Sequence, residues 1–172
     1  MELIFPTIEY KKAMFEYRRE HIDNGETSIH GSAGFIRAEN YENWLEKIKK
    51  AVTAAEPGFA TGEVYLAVVE NKIVGTIAIR HTLNETLLNT GGHIGYGVRP
   101  SERRKGYAAK MLSLALEKCR KLGIEKVLVT CDKNNIGSAK TIIKNGGVME
   151  NEFVEENGNI TQRYWINLKN NS

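Results

Sequence analysis

The sequence predicts an α/β fold in which a mixed central sheet of about seven strands carries helices on both faces. Two observations support this class. Runs rich in β-branched residues recur at 64–69 and 73–80, with lengths typical of strands. Further along, a strand at 93–98, a long amphipathic helix and an apolar strand at 126–131 follow one another. Because such a crossover joins parallel strands, the sheet is expected to mix both directions.

The first sixty residues predict one strand and two helices. Residues 2–5 favour a short strand that Pro6 ends, and residues 6–20 favour a helix. Residues 21–36 contain three glycines and show neither helical nor strand period, which predicts a loop. A second helix is predicted to begin at Asn40 and to end before Pro57 and Gly58.

The rest of the chain predicts the sheet. The runs at 64–69 and 73–80 form a hairpin, residues 84–92 a longer turn, and residues 93–98 the third strand of an antiparallel meander. After the parallel strand at 126–131 come a short helix at 135–145 and a closing hairpin of 148–155 with 161–168. With no internal repeat and no second domain in the pattern, residues 1–172 are expected to form a single domain.

Composition narrows the class of protein. The chain has 172 residues, of which 41% are hydrophobic and 26% charged, as in ordinary soluble domains. Its 24 basic and 21 acidic residues give a net charge of +3, which does not suggest a nucleic-acid-binding face. No apolar run approaches the roughly 20 residues that span a membrane, and no signal peptide is evident. No nucleic-acid or membrane partner is therefore expected, and the predicted location is the cytoplasm.

The spacing of potential ligands does not suggest a metal site. Cys119 and Cys131 lie on a predicted helix and a predicted strand, without metal-ligand spacing. The four histidines form no HExxH or similar motif. No metal cofactor is therefore predicted.

The long helix begins in a basic, glycine-bearing turn. Its apolar stripe is formed by Ala108, Met111, Leu112, Ala115, Leu116, Cys119 and Leu122. Amides in the first turn of a helix lack helical acceptors, and the helix dipole adds positive charge there. Gly106 would let a large anion approach this backbone, beside Arg103, Arg104 and Lys105. Together with Arg99, these cations are expected to be nearly uncompensated, so the junction predicts an anion site suited to a diphosphate.

Residues 103–108 fit the pattern [Gln/Arg]-x-x-Gly-x-[Gly/Ala] and resemble the diphosphate-binding motif of the GNAT superfamily of N-acetyltransferases. A strand ending in Val98-x-Pro100 precedes the motif, as in that family. Asn135-x-x-Ser138 resembles the second family motif, and the resemblance covers roughly residues 63–168. It implies a GNAT-like fold whose two parallel strands splay apart, with acetyl-CoA as cosubstrate and its pantetheine arm in the gap.

The resemblance also implies which residues bind the cosubstrate. The expected cofactor-binding residues are Val98, Arg99, Arg103, Arg104, Lys105, Gly106, Tyr107, Ala108, Ala109, Asn135 and Ser138. The Val98 amide is expected to polarise the acetyl carbonyl. Asn135 either hydrogen-bonds the pantetheine amides or only caps its helix. Ser138 either assists Asn135 or is small for close packing.

The reaction needs a base that accepts the proton of the amine and an acid that protonates the CoA thiolate. His93 is the candidate general base, because some family members carry a base early on this strand, while an ordinary histidine packed near the sheet is the alternative. Many members also place a tyrosine seven residues after the Asn to protonate the CoA thiolate, and here that position is Ile142. The acid is then Tyr107, Tyr96, Tyr164 or a water molecule, or the thiolate leaves unassisted.

The resemblance implies an N-acetyltransferase that moves the acetyl group to a primary amine by direct attack in a ternary complex. Cys131 is expected to be a packed strand residue rather than a covalent nucleophile. A non-catalytic acyl-CoA-binding or sensing module is the alternative function. The acceptor is a small-molecule or peptide amine whose identity the sequence does not give, because glutamates such as Glu26 and Glu152 cannot be placed around a cleft. A homodimer is possible.

Overall fold

The computed structural model describes residues 1–169 and contains one seven-stranded mixed sheet in the order β1-β2-β3-β4-β5-β7-β6. The strands are β1 (Glu2–Ile4), β2 (Gly62–Val69), β3 (Lys72–Arg80), β4 (Ile94–Val98), β5 (Lys126–Asp132), β6 (Val148–Val154) and β7 (Ile160–Asn167). The helices are α1 (Lys11–Asp23), α2 (Tyr41–Ala51), α3 (Tyr107–Lys121) and α4 (Ile136–Lys144). The predicted mixed sheet with flanking helices is confirmed.

The main difference from the predicted elements lies near the start of the chain. Helix α1 begins at Lys11 instead of Pro6, because residues Ile8–Tyr10 form a tight 3-10 turn closed by the Tyr10 amide on the Thr7 carbonyl. The helix then continues to Asp23, three residues into the segment predicted to be a loop. In the predicted turn at 84–92, residues Leu87–Gly91 form one π-helical turn.

Two hydrophobic cores lie on opposite faces of the sheet. Strand β3 is buried along almost its whole length and contributes side chains to both cores. On one face Ile77 and Ile79 pack with Met111 and Leu112 of α3. On the other face, α1 and α2 contribute an aromatic core that includes Tyr17, Phe35, Tyr41 and Trp44. The sheet is thereby fixed between α1 and α2 on one side and α3 and α4 on the other.

Strands β4 and β5 separate almost as soon as they meet. Their only pairing in register is Ile94 with Val129. Beyond this pair, β4 remains paired with β3 as far as Val98, which lies opposite Gly75. In the same way β5 remains paired with β7 as far as Asp132, which lies opposite Thr161. A gap therefore opens in the middle of the sheet towards the carboxyl ends of the two strands, as the resemblance implied.

The described part of the chain offers neither a membrane span nor an evident metal site. No helix within residues 1–169 is both long and apolar enough to cross a bilayer. In the same range, no group of three His, Cys, Asp or Glu side chains is arranged to hold a metal ion.

Candidate active site

A cavity of about 790 Å³ connects the start of α3 with the gap between β4 and β5. Most of its walls come from the loop that follows α1, the end of β4, the turn before α3 and the first half of α4. The lining includes Glu26, His30, Tyr96, Val98, Arg103, Arg104, Gly106, Tyr107, Ala108, Ala109, Asn135, Ser138 and Thr141. The structure thus brings most of the predicted cofactor-binding residues to one cleft.

The start of α3 presents open backbone to this cavity. Gly106 caps the helix in a left-handed conformation with φ 80°, and no heavy atom of the described residues 1–169 lies within 4 Å of the position that a Cβ would occupy. The amide of Lys110 is bonded to the Gly106 carbonyl, so the preceding amides have no acceptor within the helix. Tyr107, Ala108 and Ala109 all line the cavity. This geometry suits an anion of the size of a diphosphate.

Three of the four predicted cations form ion pairs with glutamates, so the expectation of a nearly uncompensated cluster is wrong. The pairs join Arg99 to Glu20 at 2.5 Å, Arg103 to Glu26 at 2.7 Å, and Lys105 to Glu102 at 2.9 Å. Glu20 and Glu26 come from α1 and the loop after it, which are far away in the sequence. Neither Arg99 nor Lys105 lines the cavity. Arg104 does, and it forms no ion pair with any residue of the described range 1–169.

The paired glutamates hold the basic turn against α1. Burial raises the pKa of Glu20, but hydrogen bonds from the Ser101 amide and the Arg99 guanidinium outweigh it and lower this pKa to about 2. Burial also acts on Glu26, yet hydrogen bonds from His21, Asn24 and Arg103 lower its pKa. Both carboxylates are therefore charged at neutral pH and keep their partners in place.

Alternate amides of β4 point into the gap. The Arg99 amide donates to the Val74 carbonyl, so residue 99 faces β3. Because antiparallel pairs alternate along a strand, the amides of residues 94, 96 and 98 face the other way, towards β5. Beyond Ile94, β5 has moved away. The amides of Tyr96 and Val98 therefore face the open gap.

Tyr96 and Ser138 meet across this gap. The Tyr96 hydroxyl lies 2.6 Å from Ser138 Oγ, and both residues line the cavity. Burial raises the pKa of Tyr96 to about 12, although the Ser138 contact opposes the rise. The hydroxyl is therefore protonated at neutral pH. Asn135 Oδ1 caps α4 by accepting from the Ser138 amide at 3.1 Å, and its Nδ2 makes no hydrogen bond within residues 1–169.

The other tyrosines proposed from the sequence lie differently. Tyr107 lines the cavity at the first position of α3. Tyr164 is buried, and its hydroxyl donates to Gln162 Oε1 at 2.9 Å without lining the cavity. Ile142, at the position where many family members have tyrosine, is fully buried. Of the three tyrosines, only Tyr96 therefore stands in the gap itself.

His93 is placed at the base of the gap, where the two strands still meet. It is buried, and its Nδ1 accepts a hydrogen bond from the Leu128 amide at 2.9 Å. Burial lowers the pKa of His93, and the positive charge of Arg80 lowers it further. His93 does not line the cavity. This geometry favours the alternative of a histidine packed near the sheet.

A smaller cavity of about 210 Å³ shares His30, Tyr96, Asn135 and Ser138 with the first. His30 reaches this position because the next residue, Gly31, packs tightly on the sheet. A Cβ at Gly31 would lie only 2.6 Å from the carbonyl oxygens of Thr76 and Gly95. His30 was not among the site residues predicted from the sequence. The only available signal was its glycine neighbour within a segment that lacks periodicity.

Comparisons with known proteins agree with this architecture. The sequence matches the Acetyltransferase (GNAT) family over residues 29–146. No curated protein is significantly similar in sequence.

Solved acetyltransferase structures share the fold. The microcin C7 self-immunity acetyltransferase MccE, in complex with acetyl-CoA and AMP, has a TM-score of 0.69 and 15% identity, covering 96% of this chain and 91% of that one. The putative acetyltransferase yncA from Salmonella typhimurium, with its cofactor acetyl-CoA, has a TM-score of 0.66 and 14% identity, covering 99% and 95%.

A third structure is a mutant of the spermidine N-acetyltransferase SpeG from Vibrio cholerae. It has a TM-score of 0.68 and 15% identity, covering 98% of this chain and 95% of that one. At this identity the three structures establish the fold, and the sequence match establishes the family. The predicted family is confirmed: the chain belongs to the acetyltransferase (GNAT) family.

Proposed function

We propose that the protein transfers an acetyl group from acetyl-CoA to a primary amine by direct attack within a ternary complex, as a single catalytic domain. One observation carries the proposal: a single cavity connects the open amides at the start of α3 with the gap between β4 and β5. The first feature suits a diphosphate and the second presents amides to a thioester. The structures of MccE and yncA, which share the fold, are complexes with acetyl-CoA.

The cosubstrate binds along the cavity from α3 to the gap. The amides of residues 107–109 hold the diphosphate, and Arg104 adds the cation that is not engaged by a carboxylate in residues 1–169. Asn135 Nδ2 is available to the pantetheine arm while Oδ1 caps α4. At the inner end, the Val98 amide donates to the acetyl carbonyl and stabilises the oxyanion that develops on it.

The leaving sulfur and the amine need separate proton partners. Tyr96 hydrogen-bonds the CoA sulfur as it leaves, because its protonated hydroxyl stands in the gap and is oriented by Ser138. Tyr107, predicted from the sequence, is the alternative acid on the same cavity wall. His30 accepts the amine proton, directly or through water, because it lies on the wall shared by the two cavities.

The predicted role of His93 can be separated from that of His30 by mutation. His30→Gln is expected to lower turnover by about 100-fold while acetyl-CoA binding is unchanged. His93→Gln, in folded protein, is expected to lower turnover much less. A larger loss of turnover in His93→Gln than in His30→Gln would assign the general base to His93.

Two measurements test the proposal as a whole. Isothermal calorimetry with acetyl-CoA measures binding, and release of free thiol in the presence of a panel of amines measures transfer. Binding together with amine-dependent thiol release supports the enzyme. Binding without turnover on any amine supports the sensing module, the reading favoured by a buried Ile142 where many family members have tyrosine. No binding contradicts both. A homodimer and a cytoplasmic location stay predictions.

A further inference from the structure

The last residue of β3, Arg80, places a positive charge at the base of the gap. Its NH1 donates to the carbonyls of Gly91 at 3.0 Å and Gly92 at 3.2 Å. The side chain is partly buried, and no carboxylate in the described chain, residues 1–169, forms an ion pair with it. A guanidinium has five N–H donors, so two carbonyls on one nitrogen leave several donors without a protein anion.

The guanidinium lies against the strand that borders the gap. A Cβ built on Gly95 would be 3.6 Å from both NH1 and NH2 of Arg80. Gly95 has no side chain to separate this charge from the cavity. Arg80 lines the 210 Å³ cavity together with Tyr96 and Ser138. The charge therefore borders the same space as the tyrosine to which we assign the leaving sulfur.

Successive residues of a strand point to opposite faces, so Gly95 and Tyr96 belong to different sides of the sheet. Arg80 lies on the Gly95 side, towards Gly31 and the loop after α1. Ser138 contacts Tyr96 from the α4 side. The small cavity touches both groups and therefore passes through the gap. A molecule entering from the Arg80 side can reach the position where the thioester is proposed to lie.

The two charged residues that line the small cavity have opposite sign. Arg80 directly follows Ile79, which pairs with Ile94 where β4 and β5 still meet. Asp132 ends β5 three residues beyond the paired Val129. An acceptor with both an amine and a carboxylate matches this arrangement. Guanidinium groups bind carboxylates with two parallel hydrogen bonds, which fixes the orientation as well as the charge.

A neighbouring cavity of about 490 Å³ gives such an acceptor room for an apolar body. It meets the small cavity at Gly31 and Arg80. Much of its lining is aliphatic, including Ile48, Ala51, Ala54 and Val64. Arg80 is therefore positioned between a polar channel through the sheet and a larger apolar space.

We propose that the acceptor is a primary amine that carries a carboxylate, as in an amino acid or a short peptide, and that Arg80 binds this carboxylate. The inference rests on the proposed acetyl transfer and specifies its substrate class. Polyamines, which carry no anion to pair with Arg80, are not the preferred acceptors.

Matched acceptor pairs test the proposal. Each amino acid or dipeptide is compared with its C-terminal amide, which keeps the amine and removes the negative charge. For at least one pair we expect kcat/KM to be about 10- to 100-fold higher for the free carboxylate. In Arg80→Gln, which keeps an amide donor for the loop carbonyls, the two members of that pair should differ by less than about 3-fold. Arg80→Lys should retain part of the preference.

Several outcomes would overturn the proposal. These are preference for amides or polyamines, no carboxylate acceptor used at least about tenfold better than its amide, or an unchanged preference in Arg80→Gln. The pairs measured on the unmodified protein decide the matter even if Arg80→Gln does not fold. Thiol release on amines that lack a carboxylate, together with acetyl-CoA binding by calorimetry, separates this failure from failure of the proposed function. Arg80 does not line the cofactor cavity, so its variants should still bind acetyl-CoA.

Discussion

Arg104 and Arg80 occupy opposite ends of the proposed reaction path, and they differ in how the fold exposes their charge. Arg104 is on the surface of the turn before α3 and lines the larger cavity. Arg80 is partly buried at the end of β3 and borders the smaller one. Neither pairs with a carboxylate among residues 1–169. An exposed charge in solvent adds modest affinity, whereas a partly desolvated one discriminates strongly between ligands with and without a matching anion.

The two regions also differ in which groups hold the ligand. At the start of α3 the proposed binding groups are mainly backbone amides, whose geometry depends on Gly106 and on the helix. In the gap the proposed groups are the side chains of three residues from separate segments: His30, Arg80 and Tyr96. The first region is therefore best tested by adding charge, and the second by removing single functional groups.

A carboxylate inside the first turn of α3 should have the largest effect. Ala108→Asp places a negative charge at the amides proposed to hold the diphosphate, and like-charge contacts cost several kcal/mol. We expect acetyl-CoA affinity to fall by at least about 100-fold in calorimetry. Thermal stability should be unchanged or slightly higher, since an acidic residue near a helix N-terminus is favourable.

Lys110→Asp is the control for this substitution. It adds a carboxylate to the same helix outside the cavity lining and also removes a positive charge. If it weakened acetyl-CoA binding as much as Ala108→Asp, net charge and not the local anion site would be responsible.

Removal of the Tyr96 hydroxyl should have the next largest effect. Tyr96→Phe is expected to lower kcat by about 30- to 100-fold, because the leaving sulfur loses its hydrogen-bond donor. Acetyl-CoA affinity should change little. The matched variant is Tyr107→Phe, which removes a hydroxyl from the same cavity at the start of α3. A larger loss of kcat in Tyr107→Phe than in Tyr96→Phe would assign the acid to Tyr107.

A smaller effect should distinguish two adjacent cations. Arg104→Ala is expected to weaken acetyl-CoA binding about tenfold, because a charge-assisted contact to the diphosphate is lost. Lys105→Ala should weaken it by less than about twofold, because its ammonium is held by Glu102 at 2.9 Å. Calorimetry at low and high salt measures both. Equal losses in the two variants would mean that Lys105 leaves Glu102 to bind the cofactor.

Continuous motifs explain why the sequence predicted the cofactor side of the fold so well. The segment from β4 through α3 to β5 carries its hydrophobic period, its glycine cap and its basic turn within some forty residues. Local sequence determines each of these features, so their positions along the chain can be predicted from the sequence. The splay of β4 and β5 came from the family resemblance, and the single pairing of Ile94 with Val129 shows it directly.

The proposed acceptor side could not be predicted in the same way, because its residues meet only after folding. Arg80 ends a strand whose sequence reads as ordinary sheet, and His30 lies in an aperiodic loop. The ion pairs of the basic turn were missed for the same reason. Glu20 is 79 residues from Arg99, yet the two form an ion pair. Only Glu102, three residues before Lys105, offered a local signal for such a pair.

The ion pair between Glu20 and Arg99 gives the smallest predicted effect and tests whether the cofactor side is held rigidly against α1. The pKa of Glu20 is lowered from 4.5 to about 2 in the folded protein. A carboxyl with a depressed folded pKa stabilises the fold above its unfolded pKa, and this contribution is lost as the pH falls towards the folded value. Glu20→Gln should therefore lower the melting temperature by about 2–6 °C at pH 7. Between pH 4.5 and 3, the difference from the unmodified protein should shrink.

Glu16→Gln is the matched control, because Glu16 lies one turn earlier on α1 and its contact with Lys12 is exposed at 3.9 Å. Its melting temperature should follow that of the unmodified protein at every pH. A Glu20→Gln deficit as large at pH 3 as at pH 7 would mean that the carboxylate charge is not what joins α1 to the basic turn. Backbone hydrogen bonds and packing would then hold the turn before α3 in place. The proposed cofactor side would no longer differ from the proposed acceptor side in depending on an ion pair for its position.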